Sequence, residues 1–142
     1  MKTVPRLTLD DARIVMEAAE KKSREIGVDM DIAISDDGGH LLMFHRMDNA
    51  RITSIDIAIG KAFTAAAARR STRSYAESGR PGGPAYGIHV SNQGRFMIVP
   101  GGLPIFVDDR IVGGVGCSSG HPDQDETVAQ AGIDALLRSL KP

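Results

Sequence analysis

The sequence predicts an α+β layered domain around an antiparallel sheet. Three observations predict it. Alternating apolar stretches are joined by short turns rich in Asp and Gly, the pattern of β-hairpins. Three other segments carry apolar residues at helical spacing. Those helices fall before, between and after the hairpins, so they can cover the sheet. The chain has 142 residues, which fits a single domain spanning residues 1–142.

The first helix begins after Thr8. Thr8-Leu9-Asp10-Asp11 resembles a capping box with Asp in place of Glu. Ala12, Val15, Met16 and Ala19 then repeat at helical spacing, and Gly27 suits a left-handed stop. From Val28 to Ser35 the residues alternate. Met30, Ile32 and Ile34 point one way and Asp29, Asp31 and Ala33 the other, so a half-buried strand is expected. Asp36-Asp37-Gly38-Gly39 turns the chain, and His40 to Arg46 returns as a second strand.

Thr53 or Ser54 is expected to cap a second helix running to about Arg69. Its face is wide and rich in alanine, which suits close packing on a sheet or a second subunit. Arg70 to Pro84 is polar, carries Gly and Pro, and reads as a loop. Ile88 to Val90 and Arg95 to Val99 read as short strands. Leu103 to Val107 and Arg110 to Gly116 form another hairpin around Asp108-Asp109. A last helix starts near Pro122, with Asp123, Asp125 and Glu126 in its first turn, and runs to Leu140. The predicted order is α-β-β-α-loop-β-β-β-α, a sheet of about five strands flanked by helices.

Composition excludes several functions. Hydrophobic residues make up 42% and charged residues 25%, as in globular proteins. The net charge of −1 favours neither nucleic acid nor an anionic membrane. No apolar run approaches the roughly 20 residues needed to span a bilayer. No leading segment has the organisation of a signal peptide, so a cytoplasmic location is expected. The single cysteine, Cys117, rules out an intrachain disulfide framework.

Several motifs occur in a fixed order along the chain. They are Leu7-Thr8-Leu9-Asp10-Asp11-Ala12, Ser35-Asp36-Asp37-Gly38-Gly39-His40, Arg46-Met47-Asp48, Ser54-Ile55-Asp56-Ile57-Ala58 and Lys61-Ala62. Tyr86-Gly87, Asn92-Gln93-Gly94-Arg95, Pro100-Gly101-Gly102-Leu103-Pro104-Ile105, Val112-Gly113-Gly114-Val115-Gly116 and Pro122-Asp123-Gln124-Asp125-Glu126 follow. From about Leu7 to Leu140 the chain resembles the GlcG–HbpS, or heme-degrading domain, family. That family includes the C-terminal domain of PduO-type corrinoid adenosyltransferases. The resemblance implies a profilin-like α-β-α domain assembled into even-numbered homo-oligomers, from dimer to octamer. It also implies a link to heme binding, redox sensing, glycolate-utilisation operons or corrinoid metabolism. In the PduO-type domain the resemblance implies a heme-ligating histidine on the first helix; here that helix has none.

The remaining histidines are therefore weighed as single axial ligands. His40 and His45 lie five residues apart, on opposite faces of a regular strand, and no pair has metal-ligand spacing, so no metal site is expected. His40, His89 and His121 are the heme-ligand candidates, against a surface or packing role. Gly101 and Gly102, with Tyr86 and Asn92, would wall a pocket for a planar ligand; the alternative is a tight connection between strands.

Arg46, Asp48, Asp56 and Lys61 form a second set. A lysine among alanines can bind a carboxylate or act as a base, or it can snorkel at a helix border. Asp36 and Asp48 are candidate acid–base groups. Cys117, four residues before His121, is a candidate nucleophile or a small buried thiol. The Gly-rich turn from Gly113 to Gly120 can offer backbone N–H groups to an anion at the last helix, or simply cap it. Arg69, Arg70, Arg73 and Arg80 read as a solvated helix end that can contact a ligand's carboxylates.

Three functions compete. The first is a small-ligand-binding accessory protein for heme or another tetrapyrrole. The second is a small catabolic enzyme — an isomerase, lyase or hydrolase — acting on an organic acid or aromatic breakdown product. The third is a structural oligomer.

Overall fold

The computed structural model describes residues Met1–Pro142. The elements are α1 (Leu9–Ile26), β1 (Asp31–Asp36), β2 (Leu41–Arg46), α2 (Thr53–Ala68), α3 (Thr72–Ser78), β3 (Gly102–Val107), β4 (Arg110–Ser118) and α4 (Pro122–Ser139). The four strands form one antiparallel sheet in the order β2-β1-β4-β3. The two hairpins thus meet through β1 and β4, with Ala33 opposite Gly116.

The helix starts follow from local chemistry. Thr8 and Asp11 form the capping box: the Asp11 carboxylate accepts from the Thr8 N–H at 2.8 Å and the Thr8 hydroxyl from the Asp11 N–H at 3.2 Å. Gly27 ends α1 at φ 73°. Pro122 opens α4, and the His121 N–H is taken by the Gln124 side chain at 2.9 Å. The β3–β4 turn places both Asp108 (φ 49°) and Asp109 (φ 60°) in the left-handed region, as a two-residue hairpin loop requires.

The sheet separates two unlike layers. On one face Ile32, Ile34, Val115 and Cys117 pack against Val15, Met16 and Ala19 of α1 and Val128, Ile133 and Leu136 of α4. Burying each isoleucine contributes about 1.5–3 kcal/mol. On the other face Ala33 packs against Ala58 and Ala62 of α2. Here the backbones almost touch. A Cβ on Gly116 would lie 2.1 Å from the Ala58 carbonyl oxygen, and one on Gly114 2.7 Å from that of Ala62. The alanine-rich helix and the glycine-rich strand are therefore one adaptation, a helix seated directly on the sheet.

Four expectations change. The sheet has four strands, not five. Residues Ile88–Val90 and Asn92–Gly94 are 3-10 turns, and no strand forms at 95–99. Gly87 and Asn92 to Gly94 turn the backbone at positive φ on either side of these segments, and neither segment pairs with the sheet. The expected loop at 70–84 contains α3, capped by Ser71, whose hydroxyl accepts from the Ser74 N–H at 3.3 Å. Neither Thr53 nor Ser54 caps α2: Ile52 is its N-cap, with no side-chain hydrogen bond. Last, β1 is buried along its whole length, because α2 covers the face expected to meet solvent.

Candidate functional site

Lys61 projects from α2 past the end of β4 to α4, and its side chain is 1% exposed. Its ammonium donates to the Cys117 carbonyl at 2.8 Å and to Asp125 Oδ2 at 3.1 Å. Asp125 Oδ1 accepts the Gly120 N–H at 3.0 Å. The carboxylate expected for Lys61, and the anion expected at the Gly-rich turn, are thus one internal group. Burial holds the Asp125 carboxyl above the ordinary carboxylate range, and the Lys61 charge opposes that shift. Gly101 and Gly102 wrap the same lysine. A Cβ on Gly101, at φ 127°, would meet Lys61 Nζ at 2.6 Å, and one on Gly102 the Lys61 carbonyl oxygen at 2.6 Å.

Cys117 is fully buried, and burial, with Asp125 adding to it, pushes its thiol far up, so the thiol stays protonated. Asp36 organises the first hairpin turn. Its Oδ1 accepts the N–H groups of Gly38 at 2.9 Å and His40 at 3.0 Å, and lies 3.3 Å from His40 Nδ1.

Arg46 pairs in register with Asp31. Arg46 and Asp48 share a cleft of about 460 Å³ with Asp29, Glu20, Arg24 and His45. His45 is bonded to Glu20. The cleft alternates acids and bases and offers little apolar surface.

Tyr86 is exposed and lies beside His89, with ring centroids 6.3 Å apart. Val90, in the same turn, is also exposed. Asn92 is exposed, and its amide donates to Ser91. The structure therefore groups Tyr86 with His89, while Gly101 and Gly102 are buried against Lys61. His121 stands exposed at the start of α4, and His40 at the first hairpin. No three His, Cys, Asp or Glu side chains cluster to hold a metal ion.

One group was absent from the sequence reading as a site residue. Asp31 is fully buried: its Oδ2 accepts from Ser119 at 2.8 Å, and its Oδ1 has no partner. Burial raises its carboxyl above the ordinary range, although Ser119, Arg46 and Arg51 oppose the shift. Ser119 sits at φ 95° and also accepts the Arg51 N–H at 3.0 Å. The one available signal was Asp31 itself, a carboxylate inside an apolar strand.

Comparison with known proteins places this architecture. A family model described as "Haem degrading protein HbpS-like" matches residues 7–134. A 15.0 kDa protein from the dhaT–dhaS intergenic region of Citrobacter freundii is 37% identical, over 92% of each chain. The crystal structure of Klebsiella pneumoniae ORFY superposes with a TM-score of 0.94 at 34% identity, covering 100% of this chain and 97% of that one. The crystal structure of a PduOC:heme complex superposes with a TM-score of 0.87 at 30% identity, covering 92% and 94%.

Proposed function

For a chain that belongs to the HbpS-like family, we propose the role of a small-ligand-binding accessory protein that takes heme or a related tetrapyrrole. The observation that carries this reading is the likeness to the PduOC:heme complex over 92% of the chain.

The side chains fit such a group in part. His89 is the best donor, because its turn also exposes Tyr86 at 64% and Val90 at 73%. His89 would ligate the iron, and Tyr86 and Val90 would shield the macrocycle. His40 faces Asp36, and His121 lies among the first-turn acids of α4. Bound heme would supply a redox-active iron. The mostly apolar cleft beside Leu136 and Val112 has only about 170 Å³, below the roughly 300–1,000 Å³ of small-molecule sites. Heme would be held on the exposed surface around His89 and covered by a second chain, in an even-numbered homo-oligomer in the cytoplasm.

The test is hemin titration followed by the Soret band. A shifted, saturable band is expected, together with a rise in melting temperature. It should be lost in His89→Ala and kept in His40→Ala and His121→Ala. A spectrum identical to free hemin overturns the reading; loss in another variant moves the ligand.

The enzyme alternative keeps one favourable observation, the cleft shared by Arg46 and Asp48. Lys61 is paired with Asp125, Asp36 holds the first hairpin turn, and the Cys117 thiol is buried and protonated.

A further inference from the structure

Three cations at the turn end of the sheet have no partner. Lys2, Arg69 and Arg110 line one cleft of about 480 Å³, between the N-terminal segment, the end of α2 and the β3–β4 turn. None of them forms an ion pair. Two other arginines of the basic run are engaged: Arg73 pairs with Asp123 and Glu126, and Arg70 lies over Tyr75. Arg69 instead occupies the left-handed C-cap of α2 at φ 60°, a position usually given to glycine or asparagine.

The same cleft has an apolar wall. Phe106 is 41% exposed, and it follows a slip in the β3–β4 register after Ile105. Two acids also line it. Asp37 is bonded to Arg6 at 2.5 Å and is held below the ordinary carboxylate range by that contact. Asp109 remains, so the cleft carries a modest net positive charge.

We propose that this cleft binds a small organic carboxylate. The forked guanidinium groups of Arg69 and Arg110 match a carboxylate, and Lys2 adds a third charge. Phe106 takes an apolar body the size of a single ring. The volume falls within the range of small-molecule sites. This site is separate from the heme surface around His89.

Calorimetric titration with phenylacetate tests it, with phenylacetamide, acetate and inorganic phosphate as comparisons. Phenylacetate should bind, and more weakly as salt rises. The other three should bind at least about tenfold more weakly: phenylacetamide lacks the charge, and acetate and inorganic phosphate lack the apolar body that Phe106 takes. Arg69→Gly, which keeps the left-handed backbone, and Arg110→Gln should each reduce phenylacetate affinity by about tenfold. Melting curves establish that both variants fold. Absence of phenylacetate binding, equal binding of phenylacetamide, or unchanged affinity in the folded double variant overturns the proposal. Loss of hemin binding with phenylacetate binding intact bears on the heme reading alone.

Discussion

The two ends of the sheet hold charge in opposite ways. At the β4–α4 corner Lys61 and Asp125 are closed on each other, with side chains 1% and 3% exposed. At the turn end Lys2, Arg69 and Arg110 share an open cleft and pair with nothing. In sequence the first end is the more conspicuous, with a lysine among alanines followed by paired glycines. Yet Lys61 and Asp125 find their partners inside the protein. A buried charge must find its partner within the fold, whereas a hydrated one can wait for a ligand.

Mutation should separate the ends by size of effect. Lys61→Met leaves the buried Asp125 carboxylate without its counter-charge, and should cost about 3–5 kcal/mol in denaturant unfolding. The double variant Lys61→Met/Asp125→Leu should recover most of that. If Lys61→Met costs no more than an exposed substitution, the corner is not closed as described.

A smaller effect is expected at Asp31, at the same end. Its carboxyl is raised in the folded state, so the native protein holds this proton more tightly than the unfolded chain does. The resulting contribution favours folding at low pH. It is lost as pH rises from the ordinary Asp value through the raised native one. Asp31→Asn should flatten stability across that window and change it by within about 1 kcal/mol at neutral pH. An unchanged pH profile would show that Asp31 titrates normally.

The smallest effect belongs to the open end. Arg69→Gly should leave the unfolding midpoint nearly unchanged, since the side chain makes no ion pair and glycine suits φ 60°. A large loss of stability there would erase the contrast between the two ends.

Much of the fold was legible because its signals are local. Thr8 with Asp11, Asp36 through Gly39, Asp108-Asp109 and Pro122 each announce an element within four residues. The stretch from Ile88 to Val99 was not legible, because the short apolar runs beside the bend at Asn92, Gln93 and Gly94 look like strands, while joining the sheet depends on distant partners that they do not find. Ser71 could have announced α3, but the short helix lacks a long apolar stripe. At the candidate site, residue types were easier to read than partnerships. Lys61 drew notice, but its partner Asp125 is 64 residues away, and nothing local encodes that distance. The same holds for the cleft that joins Lys2 to Arg69 and Arg110. Tyr86 and His89, three residues apart, were named separately, and only the 3-10 turn brings them together.

The glycines of β4 have a mechanical consequence. With Gly114 and Gly116 beneath it, α2 rests on the strand backbone with no side chain between them to act as a bearing. A helix so seated has no room to roll or slide, and it travels with the sheet as one plate. Amide protons at Ala62 and Ala66 should therefore be among the slowest in the chain to exchange with deuterium. Any communication between the two ends of the sheet must then run through the turns and the outer helices, around a plate that does not bend.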